Sequence, residues 1–132
     1  MNIRPKLLSG VKRAINSGSR HICCTGHSLG ASVCTLVYLD LLHLYRDHKN
    51  IHVIGYTFAA PRCTGHIRAS LGSANKQLFR IANLDDLVPT ELVPAVVPAF
   101  HAPYKPWIFQ HIGTSVLYRA NWLSWKNNHT MA

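Results

Sequence analysis

Gly26-His27-Ser28-Leu29-Gly30 is the segment whose residue types and spacing most directly suggest chemistry. A serine flanked at two-residue spacing by glycines is the pattern of a nucleophile elbow, a tight strand-to-helix turn that strains the serine backbone and lifts its hydroxyl above a sheet. The glycines leave room for strand and helix to approach each other. The backbone N–H of Leu29, opening the helix, is then placed to donate to an oxyanion with the helix dipole behind it. The chemistry of such a turn is acyl transfer. A serine hydroxyl is a weak nucleophile near neutral pH, so it needs a histidine base, and that histidine needs a carboxylate to fix its tautomer.

Carboxylates are scarce in this chain. Its 132 residues carry fourteen Lys and Arg but only five acidic side chains, Asp40, Asp47, Asp85, Asp86 and Glu91, for a net charge of +9 with the nine histidines neutral. The usual order along such a chain is serine, acid, histidine. Asp40 and Asp47 fall on the predicted helix leaving Ser28, where they read as helix surface, and Glu91 falls in a loop. Asp85 and Asp86 follow a predicted strand, at the carboxy edge of a sheet where such sites assemble.

The elements that must position these groups can be read from the pattern. Pro5 suits a first helical turn, Leu8, Val11 and Ile15 share a face, Gly10 weakens the helix, and Gly18 offers a carboxy-terminal cap. Residues 20–25 form a short strand that stops at Gly26. From Leu29 to about His48 the residues are apolar on nearly every side, as in a helix packed against a sheet. Residues 51–58 read as a buried strand rich in β-branched and aromatic side chains, 61–65 as a loop, 65–75 as a short helix and 77–82 as a third strand. Prolines 89, 94, 98, 103 and 106 make the stretch after Asp86 a long loop. Residues 111–118 read as a fourth strand, and the remainder as short helix and tail. Strands alternating with helices predict one α/β domain over residues 1–132, a mostly parallel sheet with helices on both faces.

Composition narrows the function. With 48 % hydrophobic and 14 % charged residues the chain has the makings of a core. The basic residues thicken the amino end and are otherwise scattered singly, with no zinc-finger spacing and no RNP-like aromatic motif, so nucleic-acid binding is not expected. Attraction to anionic lipid surfaces fits the same charge. Cys23, Cys24, Cys34 and Cys63 show no CxxC pair and read as buried free thiols, and alternation along the strand keeps His21, Cys23, Cys24 and His27 from forming a metal site. No metal or organic cofactor is implied. No secretory signal or membrane span is read, which leaves the cytoplasm as the default compartment.

Five segments together carry a resemblance: GHSLGA from Gly26, YTFAAPR from Tyr56, NLDDLVP from Asn83, HIGTSVLY from His111 and NHTM from Asn128. In this order the sequence resembles the class 3 (fungal-type) triacylglycerol lipase family of the α/β-hydrolase fold. The resemblance implies Ser28 as nucleophile, Leu29 as backbone oxyanion donor, Asp86 as the triad acid with Asp85 a neighbour, and His129 as the base. His111 ranks second for that role, as it matches a structural histidine, and His27 is expected inside the elbow. Ala31 stands where a glycine is common, and His66 where Asn or Asp is expected, after a loop one residue longer than usual. By length, only the carboxy-terminal half of the family is expected here, a partial α/β-hydrolase fold without the amino-terminal strands, the lid or the second oxyanion donor.

The expected function is thus a serine carboxylic-ester hydrolase acting on acylglycerol or other lipid esters. The apolar, proline-rich residues 92–109 are a candidate for contact with the acyl group or with a membrane or lipid-droplet surface. The competing expectation is a truncated lipase-like domain, catalytically weak or inactive, with a binding or scaffold role.

Overall fold

A computed structural model describes residues 3–65, 76–92, 96–97 and 107–119. The amino end forms helix α1, Arg4–Asn16, with proline in its first turn. Its end is built as the sequence suggests: Gly18 takes φ +103°, its N–H donates to Ile15, and Ser19 N–H donates to Ala14. Those two bonds satisfy the last carbonyls of the helix in a Schellman cap.

Four parallel strands follow, β1 (His21–His27), β2 (His52–Phe58), β3 (Leu78–Asn83) and β6 (Thr114–Tyr118), in the order β1-β2-β3-β6. Helix α2, Leu29–Tyr45, connects β1 to β2 and packs on both. Strand β1 is longer than expected. It runs through Gly26 to His27, because each of its seven residues pairs in register with one of β2, from His21 opposite His52 to His27 opposite Phe58. Helix α2 ends at Tyr45, three residues before the expected limit, and two turns capped by Tyr45 and His48 carbonyls lead into β2.

The core lies between α2 and one face of the sheet. Cys24, Val53 and Leu78 point from the strands toward Cys34, Tyr38 and Leu41 of the helix, with Ile112 closing one end. Gly55 explains how a tyrosine fits there: a Cβ at that position would lie 2.5 Å from Leu78 and 3.2 Å from Tyr38. Leu8 and Val11 bring α1 against the same core, and Arg4 pairs with Asp40 of α2 at 2.8 Å. Among the described residues helices are seen on this face, where the alternation predicts them on both. On the other face Tyr56 stacks on Phe79, with ring centroids 5.4 Å apart.

The proline-rich stretch is not wholly loop. Val96–Val97 (β4) and Trp107–Ile108 (β5) form a two-residue antiparallel ladder. The helix expected over residues 65–75 lies outside the described residues.

Candidate active site

Ser28 occupies the sharp turn between β1 and α2, with φ 54° and ψ −125°. That conformation is costly for a residue with a Cβ and is held by bonds on both sides. Its N–H donates to the Phe58 carbonyl at the end of β2, 2.9 Å away, and its own carbonyl accepts from Ala31 N–H at 3.0 Å. The serine backbone is thus tied to the neighbouring strand and to the helix it begins.

The two glycines of the motif do different work. A Cβ on Gly26 would overlap the Gly30 carbonyl oxygen and approach the Ala31 nitrogen to 2.9 Å, so only glycine lets the strand pass under the helix start. A Cβ on Gly30 would meet nothing within 4 Å, so the expected steric role belongs to Gly26 alone. Leu29 opens α2 with its side chain 73 % exposed.

Asp86 follows β3 and is completely buried. Its Oδ1 accepts the Val88 N–H at 2.9 Å, its carbonyl accepts the Thr90 hydroxyl at 2.6 Å, and its N–H donates to Asn83. Buried Asn83 shapes the turn by accepting Asp85 N–H on its Oδ1. Asp85 points elsewhere, 3.6 Å from Arg119. The backbone after Asp86 continues as a π-helical turn, Val88–Leu92, which the prolines gave no means of foreseeing.

Ser28 and Asp86 leave the same edge of the sheet. They follow β1 and β3, which in the order β1-β2-β3-β6 are two spacings apart, about 10 Å. A further link joins these edges, since Ala59, itself at φ 50° just past β2, donates to Ile81 of β3 at 2.9 Å.

His129 lies outside the described residues. His111 is half-buried, and its Nε2 lies 2.7 Å from the Pro89 carbonyl. A carbonyl only accepts, so this contact places the proton on Nε2. Burial pushes the imidazole pKa down to about 4, helped by the Arg80 and Arg62 cations and opposed by the Pro89 bond. His27, expected inside the elbow, is exposed, because the longer β1 turns it outward.

Two groups brace the acid turn: Arg62, which sequence reasoning missed, and His111, which it read as a structural histidine. Arg62 Nη1 donates to the Thr90 carbonyl at 2.6 Å, and His111 holds the adjacent Pro89 carbonyl. Their place beside Asp86 has no signature in local sequence. Burial raises the thiols of Cys24, Cys34 and Cys63, Cys34 to about 12. Cys23 is exposed, contrary to expectation, since alternation along β1 turns it away from its buried neighbour Cys24. Among the described residues no group of three His, Cys, Asp or Glu side chains could hold a metal ion, and no helix is long and apolar enough to cross a membrane.

Known proteins share this architecture. Rhizomucor miehei triacylglyceride lipase superposes with a TM-score of 0.62 at 26 % identity, over 87 % of this chain and 40 % of its own. A lipase from Rhizopus microsporus var. chinensis gives 0.65 at 20 % identity over 90 % of this chain and 38 % of its own, a likeness of fold alone. The phospholipase A1-Igamma3, chloroplastic, of Arabidopsis thaliana is 26 % identical over 136 residues, 86 % of this chain and 25 % of its own. The chain therefore spans a quarter to two fifths of the length of these relatives. The family model described as lipase (class 3) matches residues 1–96. That match begins at the first residue and takes in α1, ahead of every recognised motif, so the expectation of a likeness confined to a carboxy-terminal half is corrected. With this match covering most of the chain and a parallel sheet that carries a strained serine elbow, the protein belongs to the class 3 lipase family of α/β-hydrolases.

Proposed function

We propose that the protein is a serine carboxylic-ester hydrolase of lipase type, using Ser28, Asp86 and His129 on acylglycerol or other lipid esters. The observation that carries this reading is the backbone of Ser28, held at φ 54° between β1 and α2. Strain of this kind persists where surrounding structure over-determines it, and an exposed nucleophile is the use such a turn has.

In the mechanism, the imidazole of His129 takes the proton from Ser28 as its oxygen attacks the ester carbonyl. The backbone N–H of Leu29 stabilises the oxyanion, and buried Asp86 stabilises the imidazolium. On collapse the imidazolium gives its proton to the departing alkoxide, which leaves as the alcohol, and an acyl-enzyme remains. Water activated by His129 then releases the acid. Reach supports the assignment of the base. Nine residues, and so ten Cα-to-Cα steps, lie between Arg119 and His129. Such a segment extends up to about 33 Å, whereas three strand spacings between β6 and β1 are about 14 Å.

The apolar surroundings suit a lipid substrate. Leu29 beside the nucleophile and Leu84 and Leu87 on either side of the acid are exposed by 73 %, 43 % and 48 %. Exposed leucines at one edge of a strongly basic chain fit contact with an anionic lipid surface.

Hydrolysis of short- and long-chain esters, compared with Ser28→Ala, tests the reading. Turnover in the wild type and none in the variant is expected. Equal rates in the two would favour the alternative, a lipase-like domain that binds or scaffolds without turnover.

A further inference from the structure

Asp86 does not stand on its own strand end. Its Oδ1 is fixed by the Val88 N–H, so the carboxylate moves with the backbone that follows it. That backbone is a π-helical turn containing Pro89, which has no N–H to donate. Two of its carbonyls are held from outside. Pro89 accepts from His111 Nε2 at 2.7 Å and Thr90 accepts from Arg62 Nη1 at 2.6 Å. Thr90 also closes the turn through its hydroxyl on the Asp86 carbonyl, 2.6 Å away.

The two donors come from different parts of the fold. Arg62 lies in the segment after β2, and His111 lies just before β6. Between those segments, Thr64 and Gln110 form a bridge, with Gln110 N–H on the Thr64 carbonyl at 2.7 Å and the Thr64 hydroxyl on the Gln110 carbonyl at 2.8 Å. The segment after β2 and the segment before β6 therefore both reach the turn that carries the acid. A guanidinium donating to a carbonyl makes a charge-assisted bond, stronger than a neutral one. Arg62 is thus the firmer of the two braces.

We propose that Arg62 is a positioning residue for the site, acting with His111 to hold the turn that aims Asp86. The inference rests on the reading of Asp86 as the triad acid. Displacing a catalytic group by about 1 Å can cost about 100-fold in rate, and the two donors fix adjacent carbonyls of the turn on which the carboxylate rides.

The test compares wild type, Arg62→Met, Arg62→Lys and His111→Gln. Readouts are the Val88 amide signal by NMR, the melting temperature, and kcat and KM on a short-chain ester. Arg62→Met is expected to shift the Val88 amide and lower kcat by about 10- to 100-fold with KM unchanged. Arg62→Lys should recover part of both, and His111→Gln, which keeps a donor, should change them less. An unshifted Val88 amide with wild-type kcat in Arg62→Met would overturn the proposal, as would a loss confined to melting temperature and KM. If Arg62→Met does not fold, the same two readouts in Arg62→Lys decide. Should wild type hydrolyse nothing, the enzyme reading fails by itself, and the Val88 amide alone then judges the brace.

Discussion

At the scale of single residues, adjacent aspartates separate by environment. Asp86 is wholly buried and hydrogen-bonded to the turn, whereas Asp85 faces Arg119 near the surface. Their sequence neighbourhood is nearly identical, so composition and spacing left both in play, and the motif pattern was needed to prefer Asp86. Asp86→Asn should lower kcat by about 10⁴-fold, the scale for losing the carboxylate that fixes a catalytic histidine tautomer. Asp85→Asn should leave kcat close to wild type, and steady-state kinetics on one ester checks both. The glycines diverge in the same way. Gly26→Ala forces a Cβ into the Gly30 peptide and should prevent folding of the elbow, while Gly30→Ala enters open space in a helix and should retain or raise stability by up to about 1 kcal/mol. Thermal melts of the two variants separate these outcomes, and equal losses would contradict the packing described.

At the scale of elements, long periodic segments were legible and their junctions were not. The positions of α1, α2 and the four parallel strands follow from apolar pattern, proline and glycine. The extension of β1 to His27 does not, because it depends on pairing with β2 rather than on local preference. The same holds for β4 and β5, whose residues look like loop until their partner strand is known. The π-helical turn and the braces from Arg62 and His111 are tertiary contacts across 22 to 28 residues of chain, beyond any local signal. Helix α1 offers a check on element energetics. Gly10 lies inside it, and a methyl group added there would meet nothing within 4 Å. Gly10→Ala should therefore stabilise the protein by about 0.5–1 kcal/mol, read as a higher denaturation midpoint at unchanged slope.

At the scale of the whole molecule, one half-buried histidine couples stability to pH. His111 titrates at about 4 in the folded chain against an ordinary 6.5, so the unfolded chain binds the proton more readily between those values. Stability should therefore fall as pH is lowered from 6.5 to 4, by about 1–2 kcal/mol after allowance for solvent screening of a ring that is only partly buried. His111→Gln should flatten that part of the profile of melting temperature against pH, and an unchanged profile would contradict the buried neutral imidazole. The family and fold rest on the parallel sheet, the serine elbow and the matched residues 1–96, whereas activity rests on whether the elbow presents a working nucleophile. Fluorophosphonate labelling of the folded chain, with the modified residue located by mass spectrometry, asks that question most directly. Covalent modification at Ser28, absent in Ser28→Ala and sharply slowed in Asp86→Asn, is the predicted result. A folded wild-type chain that stays unlabelled at Ser28 would contradict it.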